Sequence, residues 1–451
     1  MTDISTHPPD VTVIGAGIAG TEAAWQLARR GVRVRLVEMR PDVMTPAHHT
    51  GEFAELVCSN SLKSTDPASA AGLLKWELER LESIVLRVAR DTSVPAGGAL
   101  AVDRVAFSTQ LTSLLSAHPN VEVLRADASA IPAGRVVIAT GPLTSPGLEP
   151  ALADLVGDRL AFYDAAAPIV DAETLDRSVI FAQSRYDKGA GADYLNAPMN
   201  REEYDRFYEA LLQARRVTTK DFERSELFGA CQPAEEVART GRDALRFGAL
   251  KPVGLTDPRT GQRPWAVVQL RAENAAGTAY NLVGFQTNLA FPEQERVFRL
   301  IPGLEHAAFA RFGVMHRNTF VDAPKVLDST FALRCERRVR LAGQLTGTEG
   351  YSEAAMSGLL AGLNTWADLA GAQSVVLPDT TAFGALATYA TDPETTGYQP
   401  MHVNFGIIAP LPERVRGKRE RYAAYVERAQ RDFDAWLYSR PDVLGSATSR
   451  G

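Results

Sequence analysis

Residues 11–38 read VTVIGAGIAGTEAAWQLARRGVRVRLVE. The apolar, β-branched run Val11–Ile14 reads as a fully buried strand. Gly15, Gly17 and Gly20 follow at G-x-G-x-x-G spacing. A helix-period segment, Thr21–Arg30, leads through Gly31 to a second apolar strand that closes on Glu38. Each glycine has a separate task. Gly15 permits the tight turn, Gly17 lets a pyrophosphate approach the backbone, and Gly20 lets helix and strand pack closely. The start of the helix, with Ala16, Ile18 and Ala19 between the glycines, offers unpaired N–H groups and a positive dipole end to phosphates. Glu38 stands about twenty residues on, where a carboxylate can accept hydrogen bonds from an adenosine ribose. Strand, helix, strand and acid in register make this a dinucleotide-binding unit. A glycine loop alone would not.

Working outward, the chain of 451 residues with 45% hydrophobic content can bury a large core and is long enough for two domains. No apolar stretch approaches the roughly 20 residues that a membrane span needs. The opening MTDISTHPPD lacks the basic region and apolar core of a signal peptide, so it is expected to be an unstructured leader. The ending SATSRG reads as a frayed tail. Cys58, Cys231 and Cys335 are far apart with no C-x-x-C, which fits a reducing cytoplasm and excludes a disulfide scaffold. Among scattered histidines only His48 and His49 adjoin, so no metal site is expected. A net charge of −6 argues against a general nucleic-acid binder. Local basic runs do exist, at Arg414, Arg416, Lys418, Arg419 and Arg421 and at Arg239, Arg242, Arg246 and Lys251. Taken alone, each is more often a solvated face.

Two further strand-to-glycine elements resemble the first. Gly134–Pro142 reads GRVVIATGP, placing Thr140 and Gly141 in a turn after an apolar strand. Val339–Gly358 reads VRLAGQLTGTEGYSEAAMSG, a strand, a turn through Gly343, Gln344 and Gly350, and a helix starting near Ser352 or Glu353. That helix start can face a flavin carbonyl or a phosphate. A plain dehydrogenase has no need of these returns, so FAD fits better than NAD, with Tyr351 beside the flavin. Many flavoproteins end the last strand in Gly-Asp. Gly343–Gln344 departs from that pattern and implies a different ribitol contact. The expected fold class is α/β, a Rossmann-like FAD-binding domain over 1–165 and 312–451 interrupted by a smaller α+β insertion at 166–311. Within the insertion, Arg201–Ala214 is an amphipathic helix with Tyr204, Phe207, Tyr208 and Leu211 on one core-facing stripe. Trp265–Leu270 and Tyr280–Phe285 are strand-like.

Cys58 lies in GEFAELVCSNSLKS and Cys231 in LFGACQPAEEVARTGRDALRFGALKPVGL, both polar and rich in small residues, as a reactive thiol near a site would be. Cys335, in FALRCERRV, reads as structural. These strings, with IGAGIAGTEAAWQLA, FSTQLT, YLNAPMNREEYDRFY and LAGQLTGTEGYSEAAMSGLLAGLN, run in order over nearly the whole chain. Together they resemble the folate- and FAD-dependent tRNA uracil-5 methyltransferases of bacteria, a family similar in architecture to the larger wobble-uridine modification flavoproteins.

The resemblance implies formation of ribothymidine at tRNA position fifty-four, in the T-loop. Carbon would come from 5,10-methylenetetrahydrofolate and electrons from FADH2, reduced by NAD(P)H. A thiol is needed because uracil C5 is a poor nucleophile until a thiolate adds at C6. Cys231 is expected to attack C6 while Cys58, nearer the flavin, assists proton removal or positions the methylene; the two roles could be exchanged. His316, in GVMHRNTF, is a candidate to stack on the pterin, with Tyr351 a second candidate close to the flavin turn. Arg414, Arg416 and Arg419 are candidates for tRNA phosphates. No membrane and no obligate protein partner are expected. The readings left beside this one are a small-molecule flavin oxidoreductase, a wobble-uridine modification subunit and a non-catalytic tRNA chaperone.

Overall fold

The computed structural model describes residues 9–157, 160–165, 167–187, 192–217 and 232–444, with the backbone alone for 160–165, 316 and 317. The expected leader and tail lie mostly outside these residues, and Cys231 lies outside them.

Valine-rich runs form the central parallel sheet, fully buried at Val11–Ile14 and at Val339–Leu341, with polar residues entering at the edge strand Val121–Arg125. Its order is Val339–Leu341, Arg135–Ile138, Val11–Ile14, Val34–Glu38, Val121–Arg125. Val11 pairs with Val34 on one side and Arg135 on the other, all parallel. The three strand-to-glycine elements of the sequence are therefore adjacent strands, and their turns emerge at the same edge.

The helix after the first strand spans Ile18–Ala28, beginning earlier and ending sooner than the apolar period alone suggests. The long helix Tyr351–Ala370 crosses it closely. A Cβ on Gly358 would stand 2.1 Å from the Ala19 carbonyl oxygen, so only glycine permits that approach. The crossing brings both helix N-termini to one place.

The insertion carries its own antiparallel sheet, in the order Phe181–Ala182, Tyr194–Met199, Ala266–Ala272, Ala279–Leu282, Ile169–Asp171, Phe309–Arg311. The helix Arg201–Gln213 starts on an Asn200–Glu203 capping box and buries Tyr204, Phe207 and Leu211. These side chains join Leu195, Val268, Leu270 and Phe298 in a second hydrophobic core distinct from the one under the parallel sheet. Strands Leu160–Ala165 and Met315–Phe320 pair antiparallel where the chain leaves and re-enters the first unit.

Candidate functional site

The three turns open into one cleft of roughly 1630 Å³, its open mouth included. Gly15, Gly17, Ile18 and Ala19 form one wall, Thr140 and Gly141 another, and Gly343, Gln344, Gly350 and Tyr351 a third. Glu38 and Cys58 also line it.

Steric facts divide the glycines by task. A Cβ on Gly20 would lie 1.8 Å from the Gly15 carbonyl oxygen, and one on Gly15 would lie 2.6 Å from the Ala139 carbonyl oxygen. A Cβ on Gly17 would meet nothing within 4 Å. Gly15 and Gly20 thus serve protein packing, whereas Gly17 keeps open a space that protein does not fill. Helix Ile18–Ala28 has no side-chain cap at Gly17, and helix Tyr351–Ala370 has none at Gly350. Two sets of first-turn N–H groups are left to the cleft. Gly350 has φ +114°, and a Cβ there would meet Glu353 Oε2 at 2.3 Å.

Glu38 is more occupied than the sequence suggested. Its Oε2 accepts the Ala16 N–H at 2.8 Å, and its Oε1 accepts the Arg40 N–H and Nε, each at 2.9 Å. Burial by itself would raise this carboxyl, but Arg40 outweighs it and holds the pKa below the ordinary range. Arg40, 2% exposed, also reaches Glu55 at 3.2 Å. The acid thus first braces the Gly15–Gly20 turn, and a ribose would share it.

Cys58 is half-buried on the cleft wall. Its backbone N–H donates to the Tyr351 hydroxyl at 3.1 Å, and the Ser59 N–H does so at 3.3 Å. Burial, then the nearby thiol, push the Tyr351 phenol well above its usual range, so it stays protonated. Tyr351 therefore ties the thiol segment to the N-terminus of the long helix.

A neighbouring cluster was not anticipated. Lys63, with φ +66°, places its Nζ 3.1 Å from Glu353 Oε1 and 2.6 Å from His402 Nδ1. Against the raising effect of burial, Lys63 and then His402 keep the Glu353 carboxyl below its usual range. Lys63 stood within the SNSLKS string but had no spacing to mark it, and His402 carried no signal at all. His48 also lines the cleft, its Nδ1 2.6 Å from Thr45 Oγ1. Burial, reinforced by Arg40, pushes its imidazole down to about 4.

Gln344 lines the cleft but turns its Nε2 onto Glu349 Oε1 at 2.8 Å. Other expected residues lie apart. His316 lies in the strand Met315–Phe320, but its side chain is outside the described set. Arg414, Arg416 and Arg419 are exposed and do not line the cleft. Arg239 and Arg242, expected near Cys231, pair with Glu236 at 3.7 Å and Asp205 at 2.8 Å. Cys335 is exposed, with its Sγ 3.4 Å from the Leu155 carbonyl oxygen. Among the described residues no helix is long and apolar enough to cross a membrane.

The cleft fits a flavin dinucleotide on its own geometry. The open space at Gly17 and the two uncapped helix starts supply room and donors that protein leaves unused. The family described as "Glucose inhibited division protein A" matches residues 10–373. The chain is 53% identical over 429 residues to "Methylenetetrahydrofolate--tRNA-(uracil-5-)-methyltransferase TrmFO" of Anoxybacillus flavithermus, covering 95% of this chain and 99% of that one. A protein of the same name from Heliobacterium modesticaldum is 55% identical, over 95% of this chain and 98% of its own. The chain belongs to this methyltransferase family. In fold it is similar to Aquifex aeolicus GidA, with a TM-score of 0.70 at 17% identity over 99% of this chain and 75% of that one. The chain thus has the GidA-like flavoprotein fold, mixed α/β around a parallel sheet.

Proposed function

We propose that this chain methylates C5 of the T-loop uridine of tRNA, position 54, using 5,10-methylenetetrahydrofolate as carbon donor and FAD as bound cofactor, with NAD(P)H as the source of electrons. The observation that carries the reading is Cys58 on the wall of a cleft floored by two helix N-termini, in a chain more than half identical to proteins of that name. The cytoplasm, where tRNA and folate reside, is the expected compartment. Residues 166–311 form the insertion, and 1–165 with 312–451 the FAD-binding unit.

The Gly15–Gly20 turn would hold the pyrophosphate, Glu38 the adenosine side, and Thr140, Gly141, Gly343, Gln344, Gly350 and Tyr351 the remainder. When bound and reduced, the flavin supplies the hydride that turns an exocyclic methylene on C5 into a methyl group. The protein's own part is thiol and proton chemistry. The Cys231 thiolate adds to C6 and gives C5 enolate character, so C5 forms a bond to the donor's methylene carbon. Cys58 receives the C5 proton as the bond between the methylene carbon and the donor's nitrogen breaks, leaving an exocyclic methylene on C5 with sulfur still on C6; once that methylene is reduced, the C5=C6 bond re-forms and the Cys231 thiolate leaves. Tyr351 fixes the backbone of Cys58, so the thiol meets the base at a set place. His316 would stack on the pterin, and Arg414, Arg416 and Arg419 would meet tRNA phosphates. A small-molecule oxidoreductase would leave Cys58 without a task.

The test is direct. Protein with bound flavin is incubated with tRNA lacking ribothymidine, labelled methylenetetrahydrofolate and NADPH, and the digested tRNA is searched for labelled 5-methyluridine. Labelled product is expected; its absence with active folate and reduced flavin present would refute the proposal.

A further inference from the structure

Beyond the cofactor cleft, the junction between the two hydrophobic cores holds an unbalanced set of buried charges. Arg104 donates from Nε to Glu273 Oε2 at 2.8 Å. Arg271, 7% exposed, donates from Nε to Asn60 Oδ1 at 2.8 Å and from Nη2 to Ser59 Oγ at 2.7 Å. Arg311 donates from Nη2 to the Cys58 carbonyl oxygen at 3.4 Å. Arg104 repels the Arg311 guanidinium and Glu273 attracts it, with Tyr351 and Cys58 adding weaker attraction. Among the described residues, three guanidiniums therefore share a single carboxylate.

Hydrogen bonding is incomplete in the same place. Arg104 Nη1 and Arg311 Nε are buried without an acceptor, and Glu273 Oε1 is buried without a donor. Buried charge left without a partner is costly, so such a cluster calls for a complementary group. Tethering the Cys58–Asn60 segment uses some of these donors. It does not use the ones left over.

Resting on the function proposed above, we propose that Arg104, Arg271 and Arg311 form an anion subsite that takes the phosphate on the 5′ side of the target uridine. In a pyrimidine nucleotide of ordinary anti conformation, C6 is the ring carbon nearest that phosphate. A thiol working on the C5–C6 edge therefore has the phosphate close by, and the cluster bonds to the Cys58 backbone itself. The carboxylates of the folate donor lie at the end of the molecule remote from its one-carbon unit. Glu273 Oε1 adds an acceptor suited to a ribose hydroxyl, which a ribonucleotide has and a carboxylate tail lacks. A base drawn out of its loop brings its phosphate with it, and guanidinium forks suit that group.

The test uses flavin-loaded protein and a T-arm hairpin carrying one neutral methylphosphonate in place of the phosphate 5′ to the target uridine, at fixed salt. The wild-type protein is expected to bind the neutral hairpin roughly tenfold more weakly than the natural one. Arg311→Gln should bind both hairpins alike, Arg311→Lys should keep part of the discrimination, and folate affinity should be unchanged in each. Should Arg311→Gln fail to fold, seen as lost flavin, the wild-type comparison still decides. Equal binding of both hairpins by wild-type protein overturns the subsite. Full discrimination retained by Arg311→Gln with weakened folate binding also overturns it and moves the cluster to the donor. If wild-type protein transfers no labelled carbon to the natural hairpin, it is the function proposed above that fails.

Discussion

The Gly15–Gly20 turn and the Cys58–Lys63 segment face the same cleft but are held by different means. The first is fixed by local sterics. Its shape follows from glycines whose absent side chains let backbone touch backbone, with Glu38 bracing it from the next strand. The second is fixed almost wholly from afar. Tyr351 holds Cys58, Arg271 holds Ser59 and Asn60, and Glu353 with His402 holds Lys63. Local rules shape the glycine turn, and tertiary contacts shape the thiol-bearing wall.

That contrast can be broken experimentally. The largest effect is expected at Gly20→Ala, which would force a Cβ to within 1.8 Å of the Gly15 carbonyl oxygen. A loss of about 3 kcal/mol of stability, with loss of bound flavin, should appear in thermal unfolding and in visible absorbance. A yellow protein with an unaltered melting curve would contradict this. Cys58→Ala should leave flavin content intact and remove labelled 5-methyluridine; retained product would dissociate the thiol wall from the chemistry.

Asn60→Ala tests the distant tethers. Asn60 Nδ2 donates to Val102 O at 2.9 Å and Ala272 O at 2.8 Å, joining the two units, while its Oδ1 accepts from Arg271. Removing it should cost about 2 kcal/mol in urea unfolding. No change would mean the two units need no such joint.

Gly17→Ala sharpens the comparison within the floor. At φ −68° alanine is unstrained, and its Cβ meets no protein atom. Stability without flavin should stay within about 0.5 kcal/mol, while FAD affinity falls roughly tenfold in titration. Equal affinity would show that the open space is not where the cofactor's phosphates pass.

The smallest effect concerns pH. His48 is held down to about 4 from an ordinary 6.5, so the folded protein favours the neutral ring. Its contribution is complete above about 6.5 and is lost as pH falls toward about 4, where the unfolded chain binds the proton more readily. His48→Gln should therefore show a shallower fall in melting temperature over that window. Parallel curves would place the acid sensitivity elsewhere.

Much of the floor was legible in the sequence. The three glycine turns, the strands before them and the helix at Arg201 all follow local periodicity, and each turned up within a few residues of its expected bounds. Helix Ile18–Ala28 began before the apolar period because glycine and alanine at its start carry no amphipathic signal. The wall was less legible. Cys58 could be singled out by its neighbours, but Lys63, His402, Arg271 and Arg311 come from four distant stretches with no common pattern. Asp205, which occupies Arg242 from another helix, was equally hidden, whereas Glu236 stands one turn before Arg239 in the same helix.

The parallel sheet, its glycine-lined turns and the family are written along the chain, because strand period, steric need for glycine and long shared strings are all local properties. That Glu38 braces a turn, that Lys63 sits between Glu353 and His402, and that three arginines converge beside Cys58 emerges only once distant segments pack together. The physical reason is range. A turn is settled by atoms a few bonds apart, whereas the partner of a buried charge is whatever side chain the packing of distant segments brings within reach.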